Sequence, residues 1–256
     1  MERKSAGNFV GDVHIDVIFI PEMAVYVDLS GKIALVVDIL RASSTITIAL
    51  ANGAESVLPV LTPADAFAKY QGEASLLCGE RLGKKIEGFH LGNSPREYHP
   101  DIVRGKQLIF TTTNGTRALH ACANAAELLM GCFLNRQAVC DYIVSSFLKN
   151  EQPQRDIAIV CSGKEGNIGI EDLVFAGLCV DTLKSQIGIK LTDAAKIACL
   201  LYEHYSTDIL KMLFDCEHGR YLASIGLAED LEFCAQIDVT NVVPIGRKGK
   251  IVRESL

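Results

Sequence analysis

The sequence predicts an α/β protein, three-layer α/β/α with a mixed, largely parallel sheet. Short apolar runs such as Ile33–Val37 and Ile157–Cys161 have the composition of strands covered on both faces. Segments of helical period stand between the runs, and strands alternating with helices build layered α/β domains. The 256 residues are 49% hydrophobic and 22% charged, enough for one large core. No linker or internal repeat divides them, so 1–256 reads as a single domain. Short segments between the early strands make a mixed sheet as good a reading as a purely parallel one.

Each element has its local reason. Residues 13–19 alternate apolar and polar and stop short of Pro21, as a strand does. Ile33–Val37 is the next strand, followed by a helix over 43–51 that Asn52-Gly53 closes. A strand over 56–60 leads to a helix over 63–70, entered through Thr62-Pro63. Residues 76–78 return to strand. Residues 79–100 form the longest irregular stretch, carrying Glu80, Arg81, Lys84, Lys85, His90, Asn93, Ser94, Arg96 and His99. Loops of this length inside compact domains tend to be functional. A strand over 106–110, a helix over 116–124 and a strand over 127–132 follow. Residues 136–149 form an amphipathic helix with Val139, Ile143, Val144 and Phe147 inward, and 150–155 a polar connection. After the strand Ile157–Cys161 come helices over 171–187 and 192–205, a short one over 208–213, and one over 221–235 broken at Gly226. A strand over 241–245 ends the series.

The net charge of −6 gives no general attraction for nucleic acid or anionic membrane. No stretch is long and apolar enough to span a bilayer, and the amino-terminal residues lack a signal-peptide run. The nine cysteines include no CxxC pair. Cys78, Cys132, Cys161, Cys179, Cys199 and Cys234 sit in apolar surroundings, as thiols used as small hydrophobes do. A reducing cytoplasm is therefore expected. Homo-oligomerisation is left open.

The chemistry lies at strand ends. Gln107 to Arg117 runs from an apolar strand into Thr111, Thr112 and Thr113, then Asn114-Gly115, then Thr116 and Arg117 at a helix start. Backbone N–H groups there, beside hydroxyls and a guanidinium, form a ready anion site. The same pattern recurs at Asp38-Ile39-Leu40-Arg41-Ala42-Ser43-Ser44-Thr45 and at Ser162-Gly163-Lys164-Glu165-Gly166. Three such turns suit loops gathered around a small, highly charged molecule. A Walker loop, a GxSxG elbow, an HExxH helix and zinc-type Cys/His spacing are all missing.

Asp38, at a strand end, is either a cation ligand or nucleophile or a structural carboxylate that caps the following helix and pairs with Arg41. It lacks the second Asp of haloacid-dehalogenase turns, which weakens an aspartyl-phosphate route. Glu80 follows another strand. Glu171 and Asp172 stand at a helix start, where acids are favoured by the macrodipole alone. Meeting Asp38 and Glu80 in space, they would supply the hard oxygens that Mg²⁺ prefers. His218 is either a proton donor or an ordinary surface histidine.

The blocks at 36–45, Gly79-Glu80-Arg81, Gly92-Asn93-Ser94-Pro95, 111–117 and Glu171-Asp172-Leu173 with Ala176-Gly177, and the later His218-Gly219-Arg220 with Gly226 and Asp230, resemble the 2-phosphosulfolactate phosphatase family over nearly the whole chain. The resemblance implies an α/β/α fold particular to that family. It implies a Mg²⁺-dependent hydrolase that takes phosphate from (R)-2-phospho-3-sulfolactate, a step of coenzyme M biosynthesis in methanogens. Asp38, Arg41, Glu171 and Asp172 are then the expected catalytic residues, and Asp38, Glu80, Glu171 and Asp172 the expected metal shell. Ser43, Ser44, Arg81, Asn93, Thr111, Thr112, Thr113, Asn114, Thr116, Arg117, Gly163 and Arg220 are expected to hold the substrate's anionic oxygens. Attack by a polarised water is preferred over attack by Asp38. Leu82 and Glu217 depart from the family pattern, where a small residue and Ser are expected, and are read as retuning substrate contacts. Another 2-phospho-2-hydroxy acid, or non-catalytic binding of such a metabolite, are the alternatives.

Overall fold

The computed structural model describes residues 13–148 and 155–254. The expected polar connection over 150–155, apart from Arg155, and the amino-terminal stretch read for a signal peptide lie outside the described residues. The strands are β1 (Val13–Ile18), β2 (Ile33–Val37), β3 (Ser56–Pro59), β4 (Ser75–Arg81), β5 (Lys84–Lys85), β6 (Gln107–Thr111), β7 (Glu127–Gly131), β8 (Ile157–Cys161), β9 (Ile189–Leu191), β10 (Val243–Arg247) and β11 (Lys250–Glu254). The helices are α1 (Ala42–Ala51), α2 (Pro63–Lys69), α3 (Pro100–Val103), α4 (Gly115–Ala121), α5 (Arg136–Leu148), α6 (Ile170–Lys184), α7 (Asp193–Tyr205), α8 (Ile209–Asp215), α9 (Glu217–Ser224) and α10 (Ala228–Cys234).

The sheet runs β5-β4-β6-β3-β11-β10-β7-β2-β8-β1-β9. It is mixed and mostly parallel, as expected. One parallel block is β4-β6-β3 and the other β7-β2-β8-β1-β9. The antiparallel hairpin β10-β11 joins them, antiparallel to both neighbours. The two blocks therefore run in opposite senses. A twist of about 20–25° per neighbouring pair accumulates to roughly 100–125° over the five steps from β6 to β2. That rotation turns the carboxyl ends of β6 and β2 toward each other instead of leaving them at opposite edges.

Side-chain alternation makes the three layers. Ile33, Leu35 and Val37 of β2 enter one core while Ala34 and Val36 enter the other, and Ile157, Ile159 and Cys161 divide from Ala158 and Val160 likewise. The first core is covered by α5 to α10, where Phe133 and Phe175 meet edge to face at 5.3 Å. The second is covered by α1 and α4. Burying a large aliphatic side chain in such a layer is worth about 1.5–3 kcal/mol, so these all-apolar strands are held between the two helical layers.

Three strands escaped the sequence reading: β5, β9 and β11. The β4-β5 hairpin orders the front of the stretch expected to be irregular. Its tip, Leu82-Gly83, has φ of +50° and +72°, the left-handed pair that a two-residue hairpin of the twist-matching type requires. The helix expected over 221–235 with a break at Gly226 is α9 and α10, parted at that glycine with φ +86°, and α9 starts earlier, at Glu217. The nine cysteines are all free, eight of them buried. Among the described residues no helix is long and apolar enough to cross a membrane.

Candidate active site

Asp38 leaves the end of β2 and its loop folds back on itself. Its backbone N–H donates to Ser43 Oγ at 2.9 Å, and its Oδ1 accepts from the Ala42 N–H at 3.1 Å. Ser44 Oγ donates to the Ile39 carbonyl at 2.9 Å. Ser43 and Ser44 are fully buried, so their hydroxyls brace this loop. Asp38 itself is 6% exposed and lines a cavity of about 180 Å³. Burial pushes its carboxyl up to about 6, Glu80 and Glu171 add to the push, and His218 and the Ala42 N–H oppose it.

The ends of β4 and β6 supply a second wall. Glu80 Oε1 accepts from the Thr113 N–H at 2.8 Å and Oε2 from the Gly83 N–H at 2.7 Å. Thr112 Oγ1 accepts from the Thr116 N–H at 3.3 Å, and Thr116 Oγ1 donates to the Thr112 carbonyl at 2.9 Å. Thr112, Thr113, Asn114 and Asn93 all line the cavity. Thr113 Oγ1 and Asn93 Oδ1 are buried with no hydrogen-bond partner, and buried polar atoms left so are open to a water or a bound group. Gly115 is indispensable in this packing. A Cβ there would stand 2.6 Å from Asp38 Oδ2 and 2.6 Å from Ala42 Cβ.

The third wall comes from the β8 loop, α6 and α9. Asp172 does not line the cavity. Its Oδ1 accepts from the Ile39 N–H at 2.9 Å and its Oδ2 from the Ser162 and Gly163 N–H groups at 3.1 and 3.0 Å. It therefore ties the β2 loop to the β8 loop. Burial, Glu171 and Asp38 push its carboxyl upward against those N–H bonds. Glu171 Oε1 lies 3.1 Å from His218 Nδ1. Burial works to raise Glu171, but the hydrogen bond and charge of His218 outweigh it and hold the carboxyl below its usual range. With Nδ1 donating to a carboxylate, Nε2 is the nitrogen His218 keeps for a ligand. His218, Lys164, Glu165 and Tyr221 complete the lining with Leu40, Leu82, Gly83 and Leu222.

The fold thus brings Asp38, Arg41, Glu80, Asn93, Thr112, Thr113 and Asn114 to one cavity, with His218, and holds Glu171 behind that histidine. Arg41 is buried and paired with Asp230, and donates to the Gly83 carbonyl at 2.8 Å. Asp230 also accepts from Ser94 Oγ at 2.6 Å. Other named residues are placed elsewhere. Arg81 donates to Thr111 Oγ1, the Leu61 carbonyl and its neighbour Glu80's carbonyl. Arg117 pairs with Glu22 at 2.5 Å, and Arg220 with Asp215, both half exposed or more and outside the cavity lining. Gly163 accepts a left-handed φ of +57° where a Cβ would meet the Asn167 carbonyl oxygen at 2.2 Å. Lys164 and Tyr221 were not singled out by sequence. Lys164 lies within the Ser162–Gly166 turn, but nothing local marks Tyr221.

Four carboxylates do not converge into one shell. Among the described residues no group of three or more His, Cys, Asp or Glu side chains is arranged to hold a metal ion. Mg²⁺, however, is commonly held by one or two carboxylates together with water and substrate phosphate. Asp38 and Glu80 share the cavity, and the like charges pushing Asp38 upward are what a cation offsets. The donor set fits Mg²⁺ in that manner.

Fold and site define a layered α/β protein whose strand ends close on a small cleft of carboxylates, hydroxyls, amides, lysine and histidine. The chain belongs to the 2-phosphosulpholactate phosphatase family, whose model matches residues 18–249. A relative from Caldanaerobacter subterraneus subsp. tengcongensis is 42% identical over 231 residues, 89% of this chain and 92% of its own. Relatives from Clostridium perfringens and Pseudothermotoga lettingae are each 41% identical, covering 93% and 94% of this chain and 95% and 99% of their own. All three are described as probable 2-phosphosulfolactate phosphatases.

Proposed function

We propose that this chain is a Mg²⁺-dependent phosphatase that hydrolyses (R)-2-phospho-3-sulfolactate to 3-sulfolactate and phosphate. The observation that carries the reading is the single cavity shared by Asp38, Glu80, Thr112, Thr113, Asn114 and His218. Family membership supplies the substrate class.

Thr112, Thr113, Asn93 and Asn114 offer hydroxyl and amide groups to the phosphoryl and carboxylate oxygens. Arg41, fixed by Asp230, lends positive potential to the same wall. Asp38 and Glu80 would hold Mg²⁺, which when bound neutralises phosphoryl charge and polarises water. Asp38 accepts the proton of the attacking water. His218 donates a proton to the C2 oxygen as the P–O bond breaks, and Glu171 fixes that ring. Water supplies the new P–O bond, and the two proton transfers leave phosphate and the free hydroxy acid.

The test is phosphate release from 2-phospho-3-sulfolactate with Mg²⁺, then with EDTA. Turnover that chelation abolishes and Mg²⁺ restores is the expected result. No release from this substrate under either condition removes the reading.

A further inference from the structure

The cations lining the cavity among the described residues are Arg41, Lys164 and His218. Arg41 has its guanidinium engaged by Asp230 and the Gly83 carbonyl, and His218 is hydrogen-bonded to Glu171. Lys164 differs from both. Its ammonium lies 2.9 Å from Glu217 Oε1, and its side chain is 20% exposed while that of Glu217 is 75% exposed. Ion pairs with so exposed a partner are weak because water screens them. A ligand anion entering from the cavity therefore displaces Glu217 readily.

The lysine is also presented firmly. Its N–H donates to the Asn167 carbonyl and its carbonyl accepts from the Asn167 N–H, both at 2.9 Å, closing a tight loop at the end of β8. The ammonium sits 5.1 Å over the Tyr221 ring, whose hydroxyl donates to the Leu82 carbonyl at 3.0 Å. An ammonium held over an aromatic face is attracted by the ring while part of its water is excluded.

We propose that Lys164 is the specificity-determining residue that receives the substrate's sulfonate, exchanging Glu217 for it. The inference rests on the phosphatase reading above and assigns one anionic group within it. A sulfonate is tetrahedral, with three equivalent oxygens. A point-like ammonium with three rotatable donors suits it, whereas the planar carboxylate is better matched by the amides of Asn93 and Asn114. Lys164 thus separates sulfonated from unsulfonated 2-hydroxy acids.

Calorimetric titration of the full chain with 3-sulfolactate and with lactate tests this without turnover. Wild type binds 3-sulfolactate more tightly. Lys164→Met reduces that preference about 10-fold or more while leaving lactate binding alone. Lys164→Arg keeps part of the preference, and Glu217→Gln tightens 3-sulfolactate. Thermal unfolding of each variant checks its fold, and the Arg variant keeps the test alive if Met proves unstable. Equal loss of both ligands on Lys164→Met, an unchanged preference, or no preference in wild type overturns the proposal. A wild-type chain that binds 3-sulfolactate through Lys164 yet releases no phosphate refutes the phosphatase reading and leaves this one standing.

Discussion

Glu171 Oε1 stands 3.1 Å from His218 Nδ1, joining the first turn of α6 to the first turn of α9 beside the cavity. The carboxylate is buried and the ring lines the cavity, so the acid orients and the histidine reaches. That order distributes their catalytic parts. Leaving-group protonation by a positioned side chain is worth about 10²–10⁴-fold. His218→Asn should lower kcat on 2-phospho-3-sulfolactate within about that range. The defect should shrink on an aryl phosphate whose leaving group needs no proton. An equal defect on both esters would mean that His218 does not act as the acid. Glu171→Gln keeps shape and loses charge, and should lower kcat less than His218→Asn.

Asp172 is predicted to matter for stability first. Its two oxygens serve the N–H groups of Ile39, Ser162 and Gly163. Asp172→Ala leaves the buried Ile39 and Gly163 donors unmet, at about 1–3 kcal/mol each, while the Ser162 N–H keeps the Val37 carbonyl at 2.8 Å. Relaxation and entering water reduce the sum, so a loss of roughly 2–4 kcal/mol in urea denaturation is expected. A loss under about 1 kcal/mol would show that the tie between the β2 and β8 loops is dispensable.

Gly115→Ala tests how tightly the two blocks of the sheet meet. The added Cβ finds Ala42 Cβ and Asp38 Oδ2 both at 2.6 Å, so α4 or Asp38 must shift. Overpacking of this kind costs about 1–3 kcal/mol, and kcat should fall further than stability alone explains. Unfolding midpoint and kcat measured on the same preparation decide the point. A variant with wild-type kcat would mean that α4 can retreat without moving the carboxylate.

What the sequence made legible follows from the range of each signal. Ile33–Val37 and Ile157–Cys161 are buried at every residue, so composition alone identified them as strands. The β5 strand is only Lys84-Lys85, and its pairing comes from the Leu82-Gly83 turn and not from hydrophobic pattern. The mostly polar β11 is buried mainly at Ile251. Asp38, Glu80 and Thr112 could be found because each sits at the end of an apolar run. Arg41 drew notice for the same reason, but its partner Asp230 lies 189 residues away. His218 looked ordinary because Glu171 is 47 residues distant. Arg117 looked like an anion ligand from its place at a helix start, yet its guanidinium meets Glu22 at the surface. Linear spacing does not say which way a side chain leaves its helix.

Asp38→Asn should abolish turnover and, without metal, stabilise the protein. The folded carboxyl titrates near 6 because burial and the neighbouring Glu80 and Glu171 disfavour its charge. In the unfolded chain an aspartate titrates near ~3.9. Below about pH 4 the group is protonated in both states and imposes no cost. Between about 4 and 6 the unfolded chain releases a proton that the folded one retains, so folding stability falls as pH rises. Above the folded value the protein carries the buried charge at a cost on the order of 3 kcal/mol. Asparagine still accepts from the Ala42 N–H and never ionises, so the variant escapes that fall. In EDTA, Asp38→Asn should unfold at higher urea than wild type at pH 7, with the gap closing toward pH 4. Mg²⁺ should raise wild type at pH 7 and leave the variant nearly unmoved. If the variant is the less stable protein at pH 7 in EDTA, Asp38 carries no electrostatic strain. The cation would then have no such strain to relieve.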